Sequence, residues 1–281
     1  MKAVLVAAGY GTRFLPITRV VPKELLPLGS RPALDVVVQE LLDGGVTELL
    51  VITSRRKGTL DAWFDWDAEL KAVFEREGAK AKLAKLEPPK LHVQFVRQQH
   101  MGGTGHALLL ARSFAAGEPV VVAYPDDLFG EPNATAQLIA AHRATGASVL
   151  SAADLSGQDV SRYGVLDVEQ RGGRPWVRAL VEKPALGSEP SHLISLGRYL
   201  FTSELFDALE DGLKHHSGGE YFHVAAINAL AAAGRVVAQV VDAPRYDTGA
   251  PLGYAQAFVE WGLADPDHGQ AFEAWLRARL A

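Results

Sequence analysis

The chain has 281 residues, of which 48% are hydrophobic and 22% are charged, and its formal net charge at pH 7 is −5. This composition is typical of a folded globular protein and argues against a largely disordered or membrane-embedded chain. The negative balance gives no general attraction to nucleic acid or to an acidic membrane, so neither is an expected partner. The chain has no cysteine, which excludes disulfides, thiolate nucleophiles and cysteine metal sites.

The N-terminal apolar run ends at Gly9 after about six residues, too few for the apolar core of a signal peptide. Elsewhere no stretch approaches the roughly 20 apolar residues that would span a bilayer. We therefore expect a soluble, cytoplasmic protein whose N-terminal run forms a buried first strand.

In the first half, short apolar runs alternate with helical stretches. The predicted strands are Ala3–Ala8, Glu48–Thr53, His92–Arg97 and Pro119–Tyr124, and the predicted helices are Ala33–Asp43, Leu60–Glu77 and Gly105–Ser113. Strands that alternate with helices indicate βαβ units. We therefore predict an α/β fold with a Rossmann-like, mixed but mostly parallel sheet flanked by helices.

The second half is less regular. Its predicted strands are Ala147–Ala153, Gly164–Val168, Val177–Lys183 and Leu193–Phe201, and its predicted helices are Ser203–Leu213, Glu220–Ala233, Pro251–Leu263 and Gln270–Leu280. No long Pro/Gly/Ser linker separates the halves, so residues 1–281 are expected to form a single domain. The last helix carries an apolar stripe, which we interpret as packing on the protein's own core, with a dimer contact as the alternative.

A glycine-rich loop, Gly9-Tyr10-Gly11-Thr12-Arg13, follows the first strand. Two glycines there can turn main-chain N–H groups toward a phosphate, although an ordinary turn has the same composition. The Walker A pattern is absent, and the dinucleotide fingerprint fails because Phe14 stands where its third glycine belongs. Arg55 and Arg56, after the second predicted strand, leave an NADP oxidoreductase as an alternative.

Two basic residues lie ten positions apart, Arg13 at the end of this loop and Lys23 after it, and three prolines stiffen the segment around them. Side chains of this kind can clamp a triphosphate from two sides. Further short motifs follow in order: Arg97-Gln98, Gly102-Gly103-Thr104-Gly105-His106-Ala107, Pro125-Asp126-Asp127, Tyr163-Gly164-Val165, Glu182-Lys183-Pro184, Gly197-Arg198-Tyr199 and Tyr246-Asp247-Thr248-Gly249.

In this order and spacing, the motifs from residue 3 to about residue 261 resemble those of the sugar-1-phosphate nucleotidyltransferases, in particular the bacterial enzymes that join UTP to glucose 1-phosphate. The resemblance implies a nucleotide-binding half over residues 1–150, a sugar-binding half over 151–250 and C-terminal helices over 251–281. It also implies UTP and a sugar 1-phosphate as substrates, Mg²⁺ as cofactor and a homodimer or homotetramer.

The resemblance assigns roles to particular residues. Arg13, Lys23 and Lys183 would neutralise phosphates during catalysis, and Asp126 and Asp247 would bind the metal, with Asp127 as an alternative ligand. Glu182 and Gly164 would lie at the sugar together with Lys183, and the Gln98 amide would read the base. The remaining nucleotide-binding residues implied by the family are Ala8, Gly9, Gly11, Thr12, Glu24 and Gly103.

The chain departs from the family pattern at three places. Arg19 replaces a lysine, Ala250-Pro251 replace Asn-Lys, and Gly219-Glu220-Tyr221-Phe222-His223-Val224-Ala225 replace Gly-Glu-Ile-Gln-Leu-Thr-Asp. The last two changes remove polar groups on the sugar side, where such groups discriminate between substrates. The identity of the sugar therefore stays open, and a non-catalytic nucleotide-sugar sensor is a third hypothesis.

Overall fold

A computed structural model describes residues 1–280. Its strands are β1 (Lys2–Val6), β2 (Pro27–Leu28), β3 (Arg31–Pro32), β4 (Glu48–Thr53), β5 (His92–Arg97), β6 (Val120–Ala123), β7 (Asp127–Phe129), β8 (Ser148–Asp154), β9 (Gly164–Arg171), β10 (Arg174–Glu182), β11 (Leu193–Phe201), β12 (Val236–Val240) and β13 (Arg245–Asp247). Its helices are α1 (Ala33–Asp43), α2 (Thr59–Trp63), α3 (Ala68–Glu77), α4 (Lys80–Ala84), α5 (Thr104–Leu109), α6 (Arg112–Ala115), α7 (Ala134–Thr145), α8 (Glu204–Lys214), α9 (Val224–Ala232), α10 (Pro251–Leu263) and α11 (Gly269–Leu280).

Within residues 1–280, nine strands form one sheet in the order β5-β4-β1-β6-β11-β8-β12-β10-β9. The four strands from the first half are parallel to one another, as predicted. From β6 onward the pairing is antiparallel except between β8 and β12. The α/β class and the mixed sheet are confirmed, and the parallel part is concentrated in the N-terminal half.

Side chains of each strand alternate between two apolar layers, one on each face of the sheet. In β1, Ala3 and Leu5 join the layer that contains α1 and α7, whereas Val4 joins the layer that contains α5, α8 and α9. All three side chains are fully buried. Burial on both faces explains why β1 is a continuous apolar run rather than an alternating one.

Three predicted helices are corrected. The stretch Gly105–Ser113 divides into α5 and α6. The stretch Leu60–Glu77 divides into α2 and α3, because Asp67 caps a new helix by accepting a hydrogen bond from Leu70 N at 2.8 Å. The helix predicted over Glu220–Ala233 begins only at Val224. The preceding main chain pairs with another loop instead: Tyr221 N donates to Gly102 O at 2.6 Å, and Gly105 N donates to Tyr221 O at 2.9 Å.

Several elements were not predicted at all, among them α7 and the short strands β7 and β13. β7 and β13 form a separate two-stranded antiparallel sheet in which Asp247 lies opposite Asp127. This pairing brings the segment after residue 245 to the end of β6. The distant motifs around Asp126 and Asp247 thereby become neighbours.

The last helix packs partly on its own chain. The Phe272 ring contacts that of Phe258 in α10 edge to face, with centroids 6.3 Å apart, while Trp275 and Leu280 stay exposed. Among residues 1–280, the helices lack the length and apolar character needed to cross a membrane.

Candidate functional site

The glycine-rich loop leaves β1 at the carboxyl edge of the sheet, where open α/β sheets bind ligands. Gly11 adopts a left-handed conformation with φ of 68°, which favours glycine. Its carbonyl accepts a hydrogen bond from Thr18 Oγ1 at 2.8 Å. Thr18 and Lys23 both pack against this glycine, since a Cβ there would lie 3.2 Å from Thr18 Cγ2 and 3.6 Å from Lys23 Cβ.

A buried ion pair supports the loop from below. Lys57 Nζ contacts both carboxylate oxygens of Glu24, at 2.7 and 2.9 Å, and donates to Ala7 O at 2.6 Å. Burial lowers the pKa of Lys57, and the Glu24 charge partly offsets that shift. The Glu24 carboxylate is therefore paired with Lys57. The sequence motifs did not identify Lys57 as a candidate residue.

A cavity of about 310 Å³ opens beside this loop, and we call it the nucleotide cavity. Its lining includes all seven residues predicted to bind the nucleotide, together with one catalytic and one metal candidate: Ala8, Gly9, Gly11, Thr12, Glu24, Gln98, Gly103, Lys23 and Asp126. Arg13 lies outside this lining, and its guanidinium donates to Gly249 O at 3.3 Å. A larger depression between α1, α2 and residues 85–90 contains none of the predicted site residues.

Gln98 is nearly completely buried at the wall of the nucleotide cavity. Its Nε2 donates to Gly103 O at 3.1 Å and lies 3.2 Å from His106 Nδ1. Within residues 1–280 its Oε1 has no hydrogen-bond partner, so the amide presents an acceptor. Gly103 cannot carry a side chain, because a Cβ there would collide with the Tyr221 main chain.

Asp126 lies where the two halves of the site meet. Its carboxylate forms an ion pair with Lys23, and its main-chain carbonyl accepts from Thr248 N at 2.8 Å. Burial acts to raise the pKa of Asp126, but the Lys23 ammonium outweighs this effect and holds the pKa below its usual value. The carboxylate is therefore ionised over the whole neutral range.

Asp247 joins Asp126 around Gly249. A Cβ on Gly249 would lie 2.7 Å from Asp126 Oδ2 and 3.0 Å from Asp247 Oδ1, so both oxygens border the space that the missing side chain leaves. Mg²⁺ commonly takes one or two carboxylates and completes its shell with water and phosphate. The pair is a donor set that fits this ion.

Asp127 has a different environment, although it is the next residue. One carboxylate oxygen pairs with Arg245 and the other accepts from Gly197 N. Burial raises its pKa, and the Arg245 charge partly counteracts the shift. With both oxygens occupied inside the fold, Asp127 joins β7, β11 and β13 and does not share the space at Gly249.

A second cavity, of about 520 Å³, adjoins the first, and we call it the sugar cavity. It contains Glu182, Lys183 and Asp247, and it shares Thr104, Tyr124, Asp126 and Phe222 with the nucleotide cavity. Lys183 has φ of 47°, a left-handed conformation that costs about 1 kcal/mol or more in a residue with a side chain. Its N–H donates to Tyr163 O at 3.0 Å, which holds it in this conformation.

Gly164 lies opposite Glu182 in the β9–β10 pair and does not line the cavity. A Cβ at this position would lie 3.0 Å from Glu182 Oε2. The glycine therefore leaves room for the Glu182 carboxylate.

Aromatic rings form one wall of the sugar cavity, a feature that the motifs did not predict. Tyr124, Tyr199, Phe222 and His223 all line it. His223 Nδ1 lies 2.6 Å from Thr104 Oγ1, and burial lowers the pKa of this histidine to about 4. Tyr124 Oη is buried without a hydrogen-bond partner among the described residues. The replaced segment noted above, residues 219–225, supplies part of this wall.

Comparison with known proteins places this geometry in a family. The model of the nucleotidyl transferase family matches residues 2–261. The chain belongs to the nucleotidyl transferase family. A UTP--glucose-1-phosphate uridylyltransferase of Staphylococcus epidermidis is 35% identical over 280 residues, which cover 98% of this chain and 97% of the relative.

Solved structures agree with this assignment. A UTP-bound UGPase from Acinetobacter baumannii superimposes with a TM-score of 0.90 at 29% identity, covering 98% of each chain. A UDP-glucose pyrophosphorylase complexed with UDP-glucose gives a TM-score of 0.80 at 30% identity, covering 94% of this chain and 99% of the other. The predicted family and fold are confirmed, and the oxidoreductase alternative is set aside.

Proposed function

We propose that the protein is a UTP:glucose-1-phosphate uridylyltransferase that makes UDP-glucose and pyrophosphate. The observation that carries this proposal is the position of Asp126, Lys23 and Asp247 at the junction of two adjoining cavities, which separates a nucleotide half from a sugar half. The near full-length relatives named above act on these substrates, which supports the choice of UTP and glucose 1-phosphate.

The reaction joins two anions. A phosphate oxygen of glucose 1-phosphate attacks the α-phosphorus of UTP in line, a new P–O bond forms, and the bond to the β-phosphate breaks to release pyrophosphate. No protein nucleophile is needed, so catalysis depends on positioning and on neutralising charge.

In this proposal the loop main chain from Ala8 to Thr12 holds the nucleotide, and Arg13 binds the departing β- and γ-phosphates. Lys23 would exchange its pairing with Asp126 for the α-phosphate as negative charge develops there. Lys183 binds the phosphate of the sugar, and Glu182 accepts hydrogen bonds from sugar hydroxyls. Asp126 and Asp247 would hold Mg²⁺, which when bound supplies positive charge to the reacting phosphates.

Gln98 accounts for the choice of base. Because its Nε2 is engaged by Gly103 O, the free Oε1 can accept a hydrogen bond from N3–H of uracil. Cytosine offers an acceptor at the same position and would cover this oxygen without pairing with it, which is costly. UTP is therefore the expected substrate and CTP is not.

A pyrophosphate-release assay tests the proposal by combining UTP, dTTP, CTP, ATP and GTP with several sugar 1-phosphates, with and without Mg²⁺. We expect Mg²⁺-dependent turnover that is fastest with UTP and glucose 1-phosphate. Absence of turnover in every combination, together with tight binding of UDP-glucose, would instead identify a sensor.

A further inference from the structure

Residues 220–223, here called the wall segment, separate the two cavities. Glu220 and Phe222 line the nucleotide cavity, whereas Phe222 and His223 line the sugar cavity. The main-chain bonds of Tyr221 to Gly102 and Gly105 anchor the segment, and Tyr221 Oη donates to Leu209 O at 2.8 Å. These hydrogen bonds fix the position of the wall segment beside the two cavities, where the side chains of Glu220, Phe222 and His223 line the cavity walls.

Phe222 stays 52% exposed although it lies between two anion-binding regions. This large apolar ring borders both cavities, and it forms no aromatic pair with another described residue. Pyranose rings present carbon faces as well as hydroxyls, and such a face can cover an aromatic ring. A bound sugar would remove the Phe222 ring from water and gain contact area.

His223 offers a single donor to the same cavity. The Thr104 hydroxyl lies 2.6 Å from Nδ1 and also accepts from His223 N at 3.4 Å, and we assign its proton to the contact with Nδ1. The neutral ring then carries its proton on Nε2. Within the described residues Nε2 has no hydrogen-bond partner, although the side chain lines the sugar cavity.

The family pattern has Gln and Leu at these two positions and Thr and Asp at the next two, where this chain has Val224 and Ala225. Along this segment a phenyl ring has thus replaced an amide, an imidazole has replaced an aliphatic side chain, and Val224 and Ala225 have replaced a hydroxyl and a carboxylate. We propose that Phe222 and His223 determine sugar recognition in this enzyme: the Phe222 ring packs on a carbon face of the pyranose, and His223 Nε2–H donates to a sugar hydroxyl. This inference rests on the proposed uridylyltransferase function.

Phe222→Gln, which restores the residue type of the family, tests the first contact. The KM for glucose 1-phosphate should rise about tenfold, since an aromatic contact of this kind contributes on that order, while the KM for UTP should change less than about twofold. Trp275→Gln is the control, because Trp275 is similarly exposed, at 58%, but lies in α11 outside both cavities. A larger effect on UTP than on the sugar phosphate, or no effect, would overturn the assignment.

His223→Leu and His223→Gln test the second contact. Leucine removes the donor and should raise the sugar KM about tenfold, whereas the amide of glutamine restores a donor and should bring the KM to within about threefold of wild type. Equal KM values for the two variants would refute the donor role. Thermal unfolding of each variant shows whether the fold is retained.

Binding calorimetry separates this inference from the reaction itself. Both Phe222→Gln and His223→Leu should weaken binding of UDP-glucose about tenfold and leave binding of UDP nearly unchanged. If the wild type shows no turnover, the proposed function fails while this affinity ratio still tests the sugar contacts. If turnover is normal and the substitutions do not change the ratio of UDP-glucose affinity to UDP affinity, the proposed sugar contacts are refuted while the proposed function is retained.

Discussion

The two cavities are built from different kinds of groups. The nucleotide cavity relies on main chain and glycines, held from below by the Lys57–Glu24 pair. The sugar cavity relies on side chains contributed by β10, β11 and the wall segment, and it includes Phe222 where the family has glutamine and His223 where the family has leucine. The nucleotide half keeps the family's motif residues Gly9, Gly11 and Lys23, whereas the replaced segment 219–225 supplies part of the wall of the sugar cavity.

The largest expected effect lies at the junction that both cavities share. Asp126→Asn should lower turnover about a thousandfold without unfolding the protein, because an amide of the same size cannot supply the charge for the metal. Steady-state kinetics and thermal unfolding measure the two consequences. Activity close to wild type would remove Asp126 from the proposed metal site.

Asp127→Asn is the matched control, because the two carboxylates are adjacent in sequence but differ in their partners. The substitution leaves Arg245 without its buried partner and should lower the free energy of unfolding by about 3 kcal/mol. Turnover per folded molecule should fall less than tenfold. The reverse pattern, a stable but inactive Asp127→Asn, would assign the catalytic role to Asp127.

The support of the nucleotide cavity is tested by Lys57→Met. The Glu24 carboxylate would then be buried without a partner, at a cost of about 3 kcal/mol in unfolding free energy. Adding Glu24→Leu to Lys57→Met should restore most of the stability. The KM for UTP should be raised in both the single and the double variant, because Ala7 O has lost its donor in each. Denaturant titration and kinetics of the single and double variants measure both effects. A normal UTP KM in the double variant would contradict the supporting role.

The smallest effect tests the sugar cavity through its histidine. The pKa of His223 is lowered to about 4 in the native state, from about 6.5 in the unfolded chain. Between about pH 4 and pH 6.5 the unfolded chain therefore binds more protons than the native protein. Stability must therefore fall as the pH falls through this window. Protonation of His223 should lower the free energy of unfolding by about 2 kcal/mol when the pH is lowered from about 8 to about 5.

Urea unfolding of the wild type and of His223→Leu at both pH values isolates the contribution of this histidine. The wild type should lose about 2 kcal/mol more than the variant over that interval. Parallel pH dependences would show that the ring is protonated equally well in the native and unfolded states.

Sequence patterns predicted the N-terminal half of the sheet well, since β4, β5 and α1 have the predicted bounds. β4 is a buried apolar run after Glu48, a pattern that is visible without an alignment, whereas β5 is a half-exposed strand at the edge of the sheet in which apolar and polar residues are mixed. β7 and β13 escaped prediction because each is three residues long, too short for a periodicity. Their pairing is a long-range contact that nothing local encodes.

The same distinction holds within the site. The motifs predicted the grouping of Gly9, Lys23 and Asp126, because each motif carries its own local chemistry. Lys57 could not be recognised, since a lysine in a basic run usually lies at the surface. Sequence patterns predict that the wall segment begins a helix, whereas the main-chain pairing of Tyr221 with residues 102 and 105 holds it in an extended loop beside the cavities.

The central claim is that the nucleotide and the sugar occupy separate cavities that meet at Asp126, and a crystal structure with UDP-glucose and Mg²⁺ tests it most directly. We predict that the uracil lies against Gln98, the hexose lies against Phe222 and His223, and one metal ion is bound by both Asp126 and Asp247 at about 2.1 Å. A hexose bound away from the wall segment, or a metal ion bound without Asp126, would contradict the account.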